Sequence, residues 1–148
     1  MSPLASSHER PVIILVAEPA PDLMLRLQGA MRTISTPTAL HHVQTEEEIF
    51  DFLRKEGAWE KSPQPDFILL DGGMLQALDR LKADPSFGGI PVIVMCNDFD
   101  RAKARDCHAR RCNACIPKPA DAAGMRQLTA ALNAFWFKTA VLPSNKDG

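Results

Sequence analysis

The sequence predicts one α/β domain, a parallel sheet of five strands wound with helices on both faces. Three segments carry this reading: Val12-Ile13-Ile14-Leu15-Val16-Ala17, Phe67-Ile68-Leu69-Leu70 and Val92-Ile93-Val94-Met95. Each is an unbroken apolar run, the first with heavy β-branching, which is the pattern of a strand buried on both faces. Between them lie stretches with apolar residues at helical spacing. Strands that alternate with helices build parallel sheets through right-handed crossovers. At 148 residues the chain suits a single domain, which buries about two-thirds of its unfolded surface and needs no staples.

Taken in order, residues 1–10 are polar and read as a flexible arm. The first strand stops at Glu18-Pro19-Ala20-Pro21, which cannot continue a central strand. Pro21 and Asp22 are helix-start signals, and Leu23, Leu27, Ala30, Met31 and Ile34 follow at helical spacing. Residues 38–43 form a weak edge strand, whose His41 and His42 read as surface residues. A helix over 46–56 carries Ile49, Phe50 and Leu53 on one face. Its opening Glu46-Glu47-Glu48 suits the helix dipole and reads as a solvated face. Residues 57–65 are a loop. The next buried strand ends at Asp71, and Gly72-Gly73 breaks the chain before a helix with Leu75, Leu78 and Leu81. Pro91 opens the third buried strand. A polar helix over 98–111 and a short strand over 114–116 follow. Lys118-Pro119 then precedes a last helix striped with Met125, Leu128, Leu132, Phe135 and Trp136.

Seventeen Lys and Arg against 18 Asp and Glu leave a net charge of −1. The chain therefore presents no basic field for nucleic acid. No apolar run approaches the length of a membrane span, and Met1 opens a polar segment, so no membrane partner and a cytoplasmic location are expected. The four cysteines, Cys96, Cys107, Cys112 and Cys115, are then expected as thiols, metal ligands or redox groups rather than disulfides.

In open α/β sheets the functional crevice lies beyond the carboxyl ends of the strands. Those ends are Glu18, Asp71, Cys96 and Lys118. Two acids and a lysine at one crevice make an acidic site with a counter-cation, where an aspartate beside an ammonium group suits attack on a phosphoryl group. The competing reading is that these residues cap neighbouring helices.

Pro65-Asp66-Phe67-Ile68-Leu69-Leu70-Asp71 resembles the phosphoacceptor strand of response-regulator receiver (CheY-like) domains. Leu81-Lys82-Ala83-Asp84-Pro85 with Ile90-Pro91-Val92-Ile93-Val94-Met95 is similar to that family's third helix and fourth strand. Cys112-Asn113-Ala114-Cys115-Ile116-Pro117-Lys118-Pro119 is similar to its fifth strand and lysine–proline turn, and Ile14-Leu15-Val16-Ala17-Glu18 to its first strand. The tail Phe135-Trp136-Phe137-Lys138-Thr139-Ala140-Val141-Leu142-Pro143 resembles stand-alone regulators that partner phytochrome-type histidine kinases.

The resemblance implies a doubly wound, flavodoxin-like (βα)5 fold ordered 2-1-3-4-5, a receiver over 11–137 and a C-terminal extension over 138–148. It implies a single-domain, non-enzymatic signalling protein of a two-component phosphorelay, with a sensor histidine kinase as partner. Asp71 is the implied phosphoacceptor and Lys118 its counter-cation, while Cys96 stands at the position of the switch hydroxyl. Mg²⁺ would be held by Glu18, Asp71 and the carbonyl of Gly73, weakened because Pro19 replaces a second acid. The connection Gly72-Gly73-Met74 is shorter than the family's and lacks its proline. A homodimer is expected through the fourth helix, fifth strand and fifth helix, with Phe137, Val141 and Leu142 covering the partner. An alternative is a phosphorylation-independent pseudo-receiver acting as an interaction module.

A more distant alternative is a cysteine-based metal or redox protein. Cys107-x₄-Cys112-x₂-Cys115 has the spacing of three plant-type ferredoxin ligands, with Cys96 and His108 as further ligands. Against it, Cys112 and Cys115 are expected on opposite faces of one strand, and a redox Cys-x₂-Cys normally opens a helix. A flavin enzyme is excluded because Glu18-Pro19-Ala20-Pro21 lacks the N–H groups that cradle phosphate.

Overall fold

A computed structural model of the chain describes residues 10–34, 36–97 and 101–147, those from 136 onward as backbone alone. Five strands, β1 (Val12–Ala17), β2 (Thr38–Val43), β3 (Phe67–Asp71), β4 (Val92–Cys96) and β5 (Ala114–Pro117), form one sheet in the order β2-β1-β3-β4-β5. Every pairing is parallel. The helices are α1 (Pro21–Met31), α2 (Glu46–Arg54), α3 (Gln76–Ala83), α4 (Arg101–Ala109) and α5 (Ala122–Asp147). This is the doubly wound order expected.

Strand alternation divides the apolar interior in two. Leu15, Ala17, Ile68, Leu70, Val92, Val94 and Cys96 face α2, α3 and α4. Ile14, Val16, Phe67, Leu69, Ile93 and Met95 face α1 and α5. β3 and β4 are buried along their whole length, which is why their sequences are continuous apolar runs.

Several boundaries shift for local reasons. Helix α1 ends at Met31, three residues before Ile34, which still packs against the same core. Helix α2 ends at Arg54 because Lys55 turns left-handed at φ 60° and its N–H closes onto the carbonyls of Asp51 and Phe52. Thr45 and Glu48 form a reciprocal capping box at its start. Glu46 pairs with Arg80 at 3.0 Å, and the Arg80 guanidinium lies 3.9 Å over the Phe50 ring. The acidic run is thus a cap and a tether to α3, more than a solvated face. The loop 57–65 contains a 3₁₀ turn (Gly57–Trp59), fixed by Trp59 against Phe52 and by the Ser62 hydroxyl donating to the Phe52 carbonyl at 2.6 Å.

Arg10, the last residue of the expected arm, is anchored by two hydrogen bonds to the Asp66 carboxylate, whose Oδ2 also accepts the Ile13 N–H at 2.7 Å. The rest of that arm, 1–9, lies outside the described residues. Residues 138–147 of the extension continue α5 as backbone, while the side chains of Trp136, Phe137, Val141 and Leu142 lie outside the described residues.

Candidate functional site

Glu18, Asp71 and Lys118 continue the alternation of Val16, Leu69 and Ile116, so all three project at the α1–α5 side of the strand ends. Lys118 Nζ lies 2.6 Å from Asp71 Oδ1 and 3.0 and 3.1 Å from the two Glu18 oxygens. Glu18 is fully buried, and Asp71 nearly so at 6% exposure. Burial alone would pull the Lys118 pKa down, yet hydrogen bonds and charge from Asp71 and Glu18 outweigh it and leave it raised.

Each carboxylate is also tied to backbone. Glu18 Oε2 accepts the Ala20 N–H at 2.9 Å, and Asp71 Oδ2 accepts the Gly73 N–H at 3.0 Å. Asp71 therefore does cap the 3₁₀ turn (Gly72–Met74) that leads into α3, the competing expectation for a strand-end acid. It does so while holding Lys118. Gly72 is needed there, since a Cβ would meet the Met95 backbone carbonyl at 2.8 Å, whereas one on Gly73 would press on Asp71 Oδ2, the end of a side chain, at 2.8 Å.

His42 is a correction to the sequence reading. Its ring is half-buried, and Nε2 donates to the Glu18 carbonyl at 2.7 Å, so β2 holds the backbone of the acid in place. The ring of His41 packs 5.4 Å from Phe52. Neither is a plain surface residue: His41 packs on Phe52 of α2, while His42, turned to the opposite face, reaches the backbone just beyond β1. Nothing in the local sequence pattern marks the His42 bond, which forms between residues 24 apart.

Cys96 is not brought into this group by any contact of its thiol. Strand parity turns it to the opposite face, where its Sγ lies 3.1 Å from that of Cys115 and 4.0 Å from that of Cys107. The expectation that Cys112 and Cys115 lie on opposite faces of a strand also fails. Arg111 is left-handed at φ 68°, β5 starts at Ala114, and all four cysteines belong to the α2–α4 side of the core. His108 is exposed on α4 and stands apart from them.

The donor set fits a small divalent cation. Glu18 Oε1 is buried and accepts no hydrogen bond among the described residues, although it lies 3.0 Å from the Lys118 ammonium. A buried carboxylate oxygen with spare lone pairs beside a second carboxylate is what an oxygen-seeking ion requires. Pro19 supplies no side-chain ligand. Gly73 directs its N–H at Asp71, and in a 3₁₀ turn the carbonyls run toward the following helix.

No family model matches the chain. It is 24% identical over 143 residues to the response regulator Rcp1 of Synechocystis sp., covering 93% of this chain and 97% of that protein. Among solved structures, the phosphorylated cyanobacterial phytochrome response regulator RcpA superposes with a TM-score of 0.77 at 25% identity, covering 87% of this chain and 96% of the other. The Mn²⁺-bound form of Rcp1 gives 0.76 at 22% identity, covering 85% and 94%. A response regulator in red-light signalling of R. palustris gives 0.75 at 22%, covering 85% and 91%.

Proposed function

We infer that this chain, a single-domain response-regulator receiver like the relatives it matches, works by accepting a phosphoryl group on Asp71. The observation that carries this reading is the Lys118 ammonium 2.6 Å from Asp71 Oδ1 at the carboxyl end of the sheet. One oxygen of Asp71 attacks the phosphorus of a phosphohistidine, the P–N bond breaks, and an acyl phosphate forms whose added charge Lys118 pairs. On this reading the chain is a signalling component and not an enzyme. Its donor is a sensor histidine kinase, of phytochrome type by analogy with the regulators it resembles.

Glu18 and Asp71 are the residues proposed to hold Mg²⁺. When bound, the ion would screen the charge between the acid and the incoming phosphoryl oxygens. The Gly73 carbonyl joins them only if the 3₁₀ turn opens. No helix among the described residues is long and apolar enough to cross a membrane; a cytoplasmic placement is proposed by analogy with the regulators the chain resembles. The α4–β5–α5 face and the continuation of α5 are the proposed homodimer surface.

A second reading, a receiver that acts by contact without phosphorylation, is favoured by one observation: both Asp71 oxygens are already engaged, by Lys118 and by the Gly73 N–H. Intact mass after incubation with acetyl phosphate, with and without Mg²⁺, separates the two. A Mg²⁺-dependent phosphoryl adduct that disappears in Asp71→Asn is the expected result. An unmodified chain at millimolar Mg²⁺ gives the site to the second reading.

A further inference from the structure

The four cysteines meet on the sheet face away from the carboxylates. Cys96 closes β4, Cys115 lies in β5, and Cys107 is the buried residue of α4 that faces them. Their sulfurs are 3.1, 3.3 and 4.0 Å apart. Cys112 is buried beside Cys107, its N–H bonded to the Cys107 carbonyl at 3.0 Å. We propose that Cys96, Cys107 and Cys115 form a binding site for a thiophilic d¹⁰ metal ion, Zn²⁺ or Cu⁺, with Cys112 as the adjoining fourth thiol.

The geometry suits an ion. A point equidistant from the three sulfurs in their own plane lies about 2.05 Å from each. Zn–S bonds of about 2.3 Å therefore place the ion roughly 1 Å out of that plane, with the three sulfurs as the base of a pyramid that a fourth ligand would complete. Soft thiolate sets select Zn²⁺ and Cu⁺ over the harder divalent ions.

The geometry suits a disulfide less well. Val94 pairs with Cys115 across the ladder, so Cys96 is two residues further along. Two residues of rise and one strand spacing separate the Cα atoms of Cys96 and Cys115 by about 8 Å, beyond the usual disulfide range. A metal spans such a gap without moving the backbone.

Three thiols packed merely as small apolar side chains would fill the same space. What they would not require is convergence of sulfurs from three separate elements on one point. Binding converts three S–H groups to three metal-bound thiolates and releases three protons, so it weakens as pH falls. Burial already favours the protonated thiols, pushing Cys112 up to about 11 and raising Cys115 as well.

The reduced full-length chain is titrated anaerobically with Zn²⁺ alone and, separately, with Cu⁺ alone. Binding is read by native mass spectrometry and by competition against a chromophoric chelator. One equivalent retained in either arm, kept in Asp71→Asn and lost in both Cys107→Ala and Cys115→Ser, supports the site, and the arm that retains it names the ion. Far-UV circular dichroism on each variant establishes that it is folded; Cys115→Ser preserves volume in case Cys107→Ala does not fold. The Asp71→Asn arm keeps this result separate from the phosphoacceptor reading. The proposal is overturned if neither ion is retained, or if the folded cysteine variants bind as the parent does. Loss of two hydrogens on oxidation, as a Cys96–Cys115 disulfide, without metal uptake overturns it equally.

Discussion

Lys118 sets the electrostatics of the crevice from a single atom. Its ammonium serves two acids that are both nearly withdrawn from water, and Glu18 Oε1 has no other partner among the described residues. Removing one member of such a set leaves the others charged and unpaired, which costs about 3–5 kcal/mol. Lys118→Met is therefore expected to lower stability at neutral pH by an amount of that order, read by urea unfolding. The raised pKa of Lys118 also fixes a pH window. The folded state holds this proton more tightly than the unfolded chain, so the lysine's contribution is complete below its ordinary value of 10.5 and is lost as pH climbs through the folded value. Urea midpoints followed upward from pH 10.5 should fall in the parent, and that component should be missing in Lys118→Met.

At the scale of elements, the junction between β3 and α3 decides where the acceptor carboxylate sits. Gly72 passes so close to β4 that a methyl group would strike the Met95 carbonyl. Gly72→Ala is expected to destabilise by about 1–3 kcal/mol through overpacking, measured as a shift in denaturant midpoint without a change in slope. This junction was half legible in the sequence. Gly72-Gly73 announced a break and capping was one of two readings of Asp71, but nothing announced that it would cap the turn and hold Lys118 at once. β1, β3 and β4 could be read because burial on both faces writes itself as an uninterrupted apolar run. Glu18, Asp71 and Lys118 were legible for a related reason: each is the polar residue at which such a strand runs out. The thiols were legible as a ligand set by spacing, but the parity argument set against them failed. Parity along β5 applies only from Ala114, and the left-handed Arg111 lies upstream, where alternation has no meaning. His42 escaped because its bond is to a backbone carbonyl, which no side-chain pattern encodes.

For the molecule as a whole, α5 is the element that outruns the sheet, extending to Asp147. Were it only a cover for β1 and β3, its packing through Leu132 and Phe135 would suffice. The proposed dimer assigns the remainder to a second copy. Sedimentation of the 148-residue chain should then give a dimer and of a chain ending at residue 137 a monomer, its far-UV helical signal reduced only by the helical residues removed. A monomer in both cases removes the dimer from the proposal while leaving Asp71 untouched.

The sheet is a partition with a shared wall. Met95 stands across the ladder from Asp71, and the very next residue, Cys96, belongs to the thiols on the far side. Whatever occupies one side must be accommodated by the same last turn of pleat that borders the other. Thermodynamic linkage makes such a relation symmetrical: if a metal among the sulfurs alters phosphoryl affinity by some factor, phosphorylation alters metal affinity by that same factor. A strand one residue thick would then let two chemistries that never touch each other set one another's set-point.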